Sequence, residues 1–363
     1  MSTDAKTRSL SSDSESSGIF SSLRANRGVC LLATLLLVTI GWAALSSSGG
    51  LPLAGSALPT GTPPLLPSSG PNKEYIYAGS ALVATTEQFR QPPEDLAVWR
   101  PSDGTWYVLN SEGAMVYQQW GINGDIPVQG DFDGDGRTDF AVFRPSSNTW
   151  WITRSTDGSY YSATFGTSGD TPAIGDYDGD GRSDLAVWRP SNSTWYVLRS
   201  SDSGVTSTPF GTTGDKVAPA DYDGDGKSDV AIWRDSTHTF WVLRSSDSQT
   251  SSFSIGATGD DPVVGDYDGD GKSDFAVRRS STNYWYIHFS SDGSDYSQQW
   301  GNTSDIAVPG RYRDSSDTDA KTDIAVWRPS TGVWYIRRSS DGSQRTTQWG
   351  MNGDIPVPAN WNR

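Results

Sequence analysis

One nine-residue loop, repeated at a fixed interval, most restricts what this chain can fold into. The stretch Asp131-Phe132-Asp133-Gly134-Asp135-Gly136-Arg137-Thr138-Asp139 returns at 176–184, 221–229 and 266–274, each copy 45 residues after the last. Carboxylates stand at loop positions 1, 3, 5 and 9. They are Asp131, Asp133, Asp135 and Asp139; Asp176, Asp178, Asp180 and Asp184; Asp221, Asp223, Asp225 and Asp229; and Asp266, Asp268, Asp270 and Asp274. Hard cations such as Ca²⁺ take about six to eight oxygens, and a tight loop of alternating Asp supplies them. Glycine at position 6 (Gly136 and its counterparts) suits the sharp turn, because it tolerates positive φ. The carbonyls of Arg137, Arg182, Lys227 and Lys272 stand at position 7, where an EF-hand loop adds a backbone oxygen. Four like charges this close repel unless a cation neutralises them, which favours metal loops over plain Asp-Gly turns. About four Ca²⁺ per chain are expected.

The residues after each loop set the fold class. A helical EF-hand would place Glu at position 12, but here that residue is Val142, Val187, Ile232 or Val277, inside runs such as Phe140-Ala141-Val142-Phe143. The loop therefore joins strand to strand, with the Asp at position 9 standing in for the missing Glu. An aromatic strand comes next, for example Trp106-Tyr107-Val108 or Trp195-Tyr196-Val197, and then a turn of the Ser-Asp-Gly type. A third strand ends in Trp120-Gly121, Phe165-Gly166 or an equivalent, and Gly-Asp leads into a fourth. Four short strands in about 45 residues is the arithmetic of a β-propeller blade. Residues 95–363 hold six such units, so the fold class is all-β, a six-bladed propeller. The first unit opens at Asp95 without its own lead-in, and the chain ends on Asp354-Ile355-Pro356-Val357-Pro358, so the C-terminal strand is expected to complete the first blade.

Two junctions depart from the pattern. The split loop of the first blade offers only Asn360, Asn362 and Asp95 and is not expected to hold metal. The fifth loop is four residues longer; aligned from its end, Asp317, Asp319 and Asp323 take positions 3, 5 and 9, and Ser315 replaces the first Asp. A weak site or none is expected there.

The rest of the chain frames this domain. The formal charge of −15 argues against a nucleic-acid partner. Four bound Ca²⁺ would add +8 and leave −7, so the acidity belongs mainly to the loops. Residues 1–28 are Ser-rich with basic residues; 29–45 carry no charge and would reach roughly 25 Å as a helix, near the span of a bilayer core. This segment reads as a signal-peptide h-region or a membrane anchor, and either one exports the repeats. Residues 46–72 form a Pro/Ser/Gly linker, and 73–94 a short β extension. The lone cysteine, Cys30, lies outside the repeats, so metal rather than a disulfide would staple the domain.

The loop Asp-x-Asp-Gly-Asp-Gly-x-x-Asp on a blade-length period resembles the FG-GAP/VCBS repeats of integrin-α-type propellers, over residues 95–363. The resemblance implies an extracellular calcium propeller used for adhesion or for binding a protein or glycan. Integrin heads have seven blades and this chain six, so their partner-binding surface does not carry over. The alternative function is an extracellular hydrolase or lyase acting on polysaccharide. His238 and His288 occupy non-equivalent repeat positions, which gives no repeated His set. Trp at equivalent positions suits packing between blades. A sharper reading makes Trp99-Arg100, Trp188-Arg189, Trp233-Arg234 and Trp327-Arg328 line ligand pockets, a Trp face stacking on a sugar while Arg binds hydroxyls.

Overall fold

The architecture follows from the repeated strand quartet. A computed structural model describes residues 73–78, 81–87, 95–312 and 319–358. The expectations for 1–28, 29–45 and 46–72, together with those for Cys30, Ser315, Asp317, Asn360 and Asn362, lie outside the described residues. Within 73–94, Lys73–Ala78 and Ala81–Glu87 pair as a two-stranded antiparallel sheet.

Six four-stranded antiparallel sheets make up the remainder, and no helix occurs among the described residues. Blade 2 runs Ile126–Val128, Phe140–Arg144, Thr149–Thr153 and Tyr160–Thr164. Blades 3, 4, 5 and 6 repeat this order, with second strands at Leu185–Arg189, Val230–Arg234, Phe275–Arg279 and Ile324–Arg328. Blade 1 consists of Leu96–Arg100, Thr105–Leu109 and Met115–Gln119, completed by the C-terminal strand Ile355–Pro356, which pairs with Leu96–Arg100 (Ile355 opposite Trp99). The ring therefore closes as the chain ends predict. Gln129, Val308 and Pro356, beside or within the first strands of three blades, line one cavity, so the first strands face the ring axis.

Burial changes across each blade. The second strand is buried on both faces, the third alternates, and the fourth presents every other residue to solvent. Each junction between blades has its own apolar core. Val142 of blade 2 packs with Trp99 and Trp106 of blade 1, Val187 with Phe143 and Trp150, and Ile232 with Trp188 and Trp195. Val277, Val326 and Val98 do the same at the remaining three junctions. The residue at loop position 12 thus wedges each blade into the one before it. Fully burying a side chain of this size contributes about 1.5–3 kcal/mol.

A buried ion pair recurs in all six blades. The Asp ahead of each first strand takes a two-bonded grip on the Arg ending the second strand. Arg144 Nε and Nη2 donate to Asp125 at 2.8 and 2.9 Å. The same pairing joins Arg189 to Asp170, Arg234 to Asp215, Arg279 to Asp260, Arg328 to Asp305, and Arg100 to Asp354 across the ring closure. Removing one partner of such a pair leaves a desolvated charge, at a cost of about 3–5 kcal/mol.

Candidate metal centres

Each complete loop connects the first strand of a blade to its second, and local geometry explains its sequence. The glycines at positions 4 and 6 both have positive φ, 83° at Gly134 and 81° at Gly136. Their N–H groups turn inward and donate to the two oxygens of Asp131, at 2.6 and 2.7 Å. Position 4 needs glycine for a second reason. A Cβ at Gly134 would lie 2.9 Å from Cγ of Arg182, because the position-7 side chain of the next loop crosses it. Adjacent loops are also tied by backbone: Ser183, Ser228, Ser273 and Thr322 N–H groups donate to the carbonyls of Asp131, Asp176, Asp221 and Asp266 at 2.6–2.7 Å.

Three carboxylates in each loop bring one oxygen apiece within 4.8 Å of one another. They are Asp131, Asp133 and Asp139; Asp176, Asp178 and Asp180; Asp221, Asp223 and Asp225; and Asp266, Asp268 and Asp274. Ligands on opposite sides of a Ca²⁺, each at about 2.3–2.6 Å, stand about 4.6–5.2 Å apart, so these sets fit one hard cation. Positions 1 and 3 contribute everywhere, with position 9 in the first and fourth loops and position 5 in the second and third. Asp135, Asp184, Asp229 and Asp270 lie outside these clusters; Asp135 accepts from Arg137 Nε at 2.8 Å. At position 7 the carbonyls of Arg137, Arg182, Lys227 and Lys272 accept no backbone hydrogen bond outside the strands among the described residues, which leaves them available to an ion.

The electrostatics of these loops favour a cation. Burial, with neighbouring loop carboxylates adding to it, pushes Asp131, Asp221 and Asp266 above the usual carboxylate range. At position 9 burial raises Asp139 and Asp274 to about 6, and Asp184 and Asp229 also move upward. A bound cation inverts that penalty.

The position-9 Asp does more than the sequence suggested. It is buried in all six blades, at most 2% exposed, including blade 1, whose loop is split, and blade 6, whose loop is altered. One oxygen accepts from the N–H of the turn after the third strand: Ser111, Ser155, Ser200, Ser245, Ser290 and Ser339, at 2.7–2.9 Å. The other accepts from position 2, for example Phe132 N–H at 2.8 Å and Tyr177 N–H at 2.9 Å. This residue is a framework bolt as well as a candidate ligand.

A set of hydroxyls behind the carboxylates was not anticipated from the sequence. Ser155 Oγ donates to Asp135 and Thr156 Oγ1 to Asp133, at 2.9 and 2.6 Å. Ser200 and Ser201, Ser245 and Ser246, and Ser290 and Ser291 hold positions 5 and 3 of the other loops in the same way. Their own 45-residue period was the available signal.

The fifth loop requires a correction. Tyr312 N–H donates to Asp323 at 3.0 Å and its hydroxyl to Val308 O, as the position-2 residues Tyr177, Tyr222 and Tyr267 do in their loops. Gly310 bridges Asp323 as Gly265 bridges Asp274. Position 1 is therefore Arg311 rather than Ser315, and the four extra residues fall between Tyr312 and Asp319. Asp319 does hold position 5, accepting from Ser339 Oγ at 3.0 Å. A guanidinium stands where the complete loops carry their first carboxylate.

The Trp-Arg pocket reading is also corrected. Trp99, Trp233 and Trp327 are 0% exposed and Trp188 3%, so their ring faces are not open to a ligand. Arg100, Arg189, Arg234 and Arg328 are the ion-paired residues described above, and each also lies over an aromatic ring of the third strand, at 4.0–5.7 Å. Strand alternation sends the indole into the core and leaves the guanidinium at the strand end.

The match to a known repeat family coincides with these loops. The sequence matches the FG-GAP-like repeat over 131–187, 176–232 and 221–277, each window running from position 1 of one loop to position 12 of the next. No curated protein matches the chain. Similar solved structures include an Agrocybe aegerita lectin that recognises non-reducing terminal N-acetylglucosamine, at 12% identity over 70% of this chain and 76% of that chain, TM-score 0.47. Virginiamycin B lyase from Staphylococcus aureus is 9% identical over 71% of this chain and 85% of that chain, TM-score 0.46. TolB from Acinetobacter baumannii is 12% identical over 72% and 66%, TM-score 0.47.

Proposed function

Because this chain is a β-propeller of FG-GAP-like repeats, we propose that it is an exported, calcium-stabilised binding module that holds an extracellular protein or glycan without turning it over. The observation that carries the reading is the set of four three-carboxylate clusters, one in each of four consecutive blades. Ca²⁺ bound there would neutralise the crowded carboxylates and add its binding energy to folding, about four ions per chain. The three clustered carboxylates of each loop would hold the ion, and Thr156 and its counterparts Ser201, Ser246 and Ser291 would orient the ligand at position 3. Calcium-rich surroundings outside the cell would fit such sites, and residues 29–45, read as a cleaved signal or a membrane anchor, would carry the repeats there.

A second reading, an extracellular hydrolase or lyase acting on polysaccharide, draws on one observation. His288 Nδ1 lies 2.8 Å from Asp295, which lines a cleft of about 290 Å³. Against it, the His288 ring is stacked on Phe253 at 3.9 Å, which suits packing as well as proton transfer. The test applies the calcium-loaded full chain to glycan and extracellular-protein arrays while assaying oligosaccharide products. Binding without products, lost on chelation, is expected. Product release that disappears in His288→Ala would overturn the binding-module reading in favour of the enzyme.

A further inference from the structure

The six junctions between neighbouring blades are built from equivalent strand positions, and the one between blades 1 and 2 opens into a cleft with an aromatic edge. At the junction of blades 1 and 2, Trp120, Ile122, Arg144, Trp151 and Tyr160 line an open cleft of about 440 Å³, within the size range of small-ligand sites. Tyr160 is 67% exposed and Ile122 54%, an apolar rim that no part of the described chain covers. Trp120 and Tyr160 approach with ring centroids 5.6 Å apart. At the Tyr160 position the other blades carry Met115, Val205, Thr250, Asp295 and Gln344, so an aromatic residue stands at this repeat position only in blade 2.

The polar side of the cleft differs from four of the other blades. In blades 1, 3, 5 and 6 the third-strand aromatic is Tyr, and the ion-paired Arg covers its ring at 4.0–4.7 Å. In blades 5 and 6 the tyrosyl oxygen also accepts from Arg Nη1, at 3.1 and 2.9 Å. In blades 2 and 4 the residue is Trp151 or Trp241; Arg144 and Arg234 stand 5.4 and 5.7 Å from those rings, and Nη1 of Arg144 has no acceptor among the described residues. The charge of Arg144 is already answered by Asp125. The cleft thus offers apolar ring faces and a spare hydrogen-bond donor with no net charge, on a protein of charge −15.

We propose that this cleft binds a neutral pyranose ring. The C–H face of the sugar would stack on Trp120, Trp151 and Tyr160, and a hydroxyl oxygen would accept from Arg144 Nη1. An anion would find no unpaired cation and would meet the field of an acidic protein. A wholly apolar ring would leave the donor unsatisfied. The inference rests on the binding-module reading and names the class of ligand.

The test titrates the calcium-loaded full chain with neutral methyl pyranosides, with glucuronate and with phenol, read by tryptophan fluorescence and ligand-observed NMR. Two substitutions keep the fold: Tyr160→Ala removes an exposed ring, and Trp151→Tyr installs the residue that four sister blades already carry, whose hydroxyl would cap Arg144. Each should weaken pyranoside binding about tenfold with unchanged calcium-dependent melting, while Val205→Ala, the same position in blade 3, should have no effect. Binding that is unchanged in both variants would overturn the site and leave the binding-module reading standing. Preference for phenol or glucuronate, or no pyranoside binding at all, would also overturn the proposal, and array binding by the wild type would still decide the broader reading.

Discussion

From blade 2 to blade 5, every junction brings two complete Asp loops side by side, and the fourth strand runs into Phe165, Phe210 or Ile255, none of which has a side-chain donor. At the other three junctions at least one loop is split or altered, and that residue is Trp120, Trp300 or Trp349. Each of these indoles donates across to the next blade: to Trp151 O at 3.1 Å, Tyr335 O at 3.0 Å and Tyr107 O at 3.0 Å. The ring therefore has one arc whose neighbouring loops both carry carboxylate clusters and another arc whose junctions each gain an indole hydrogen bond. The lesson is that near-identical repeats need not be joined alike. On the proposed reading, stability would depend on calcium where acidic loops are crowded together; where they are not, an uncharged bond joins the blades, and its strength would be indifferent to metal.

The largest test of that contrast is chelation. At free calcium a hundredfold above Kd, each site stabilises the folded state by about 2.7 kcal/mol, so four sites together contribute on the order of 10 kcal/mol. Removing the metal should lower Tm by on the order of 20 °C. Hydrogen exchange should show where the loss falls: amides of 131–277 should lose protection well before those of 96–119 and 324–348. Uniform loss, or an unchanged melt with no metal found in the sample, would dissolve the distinction between the arcs.

Single substitutions should separate framework from ligand. Asp323→Ala leaves Ser339 and Tyr312 N–H groups without acceptors in the altered loop. At about 1–3 kcal/mol for each buried unsatisfied group, the cost should be about 2–6 kcal/mol, with or without calcium. Asp178→Ala in a complete loop removes a partly exposed ligand and should cost about 2.7 kcal/mol, only when calcium is present. Urea unfolding of both variants in calcium and in chelator reads the difference. If the cost of Asp323→Ala disappeared in chelator, the altered loop would also be a metal site.

Much of this was legible before any coordinates. The 45-residue period, the glycines at position 6, the strand that succeeds each loop and the closure of blade 1 by the chain end all lie in the order of residues. What was hidden is what the fold brings together from afar. Asp125 and Arg144 are 19 residues apart, a spacing that local pattern does not interpret, and only the sheet makes them neighbours. Ser155 and Thr156 looked like turn residues because the turn after the third strand meets the loop only once the blade is folded. Trp99 next to Arg100 suggested joint use, but a strand separates neighbours onto different faces. At the fifth loop, counting back from Asp323 gave Ser315 the first position, whereas the tyrosine at position 2 fixes the alignment from the other end and makes it Arg311. An insertion has two flanks, and sequence alone did not say which one kept register.

The smallest effect sharpens the comparison most. Trp349→Phe keeps an aromatic ring at the junction of blades 6 and 1 and deletes only the bond to Tyr107 O, so it should cost about 1 kcal/mol in calcium and in chelator alike. The converse substitution, Phe165→Trp, would place a donor at the junction of blades 2 and 3, where the equivalent acceptor is Tyr196 O. In calcium that bond adds little to a junction already held. In chelator it should restore exchange protection to Tyr160–Thr164 and Thr194–Leu198 while leaving blades 4 and 5 exposed. Extra volume could strain the junction core around Phe165 and Tyr196, so melting in calcium serves as the control for packing. Protection that fails to return in chelator, with melting in calcium unchanged, would mean that the indole bond cannot replace the cation. The three tryptophans would then mark the calcium-poor junctions without holding them.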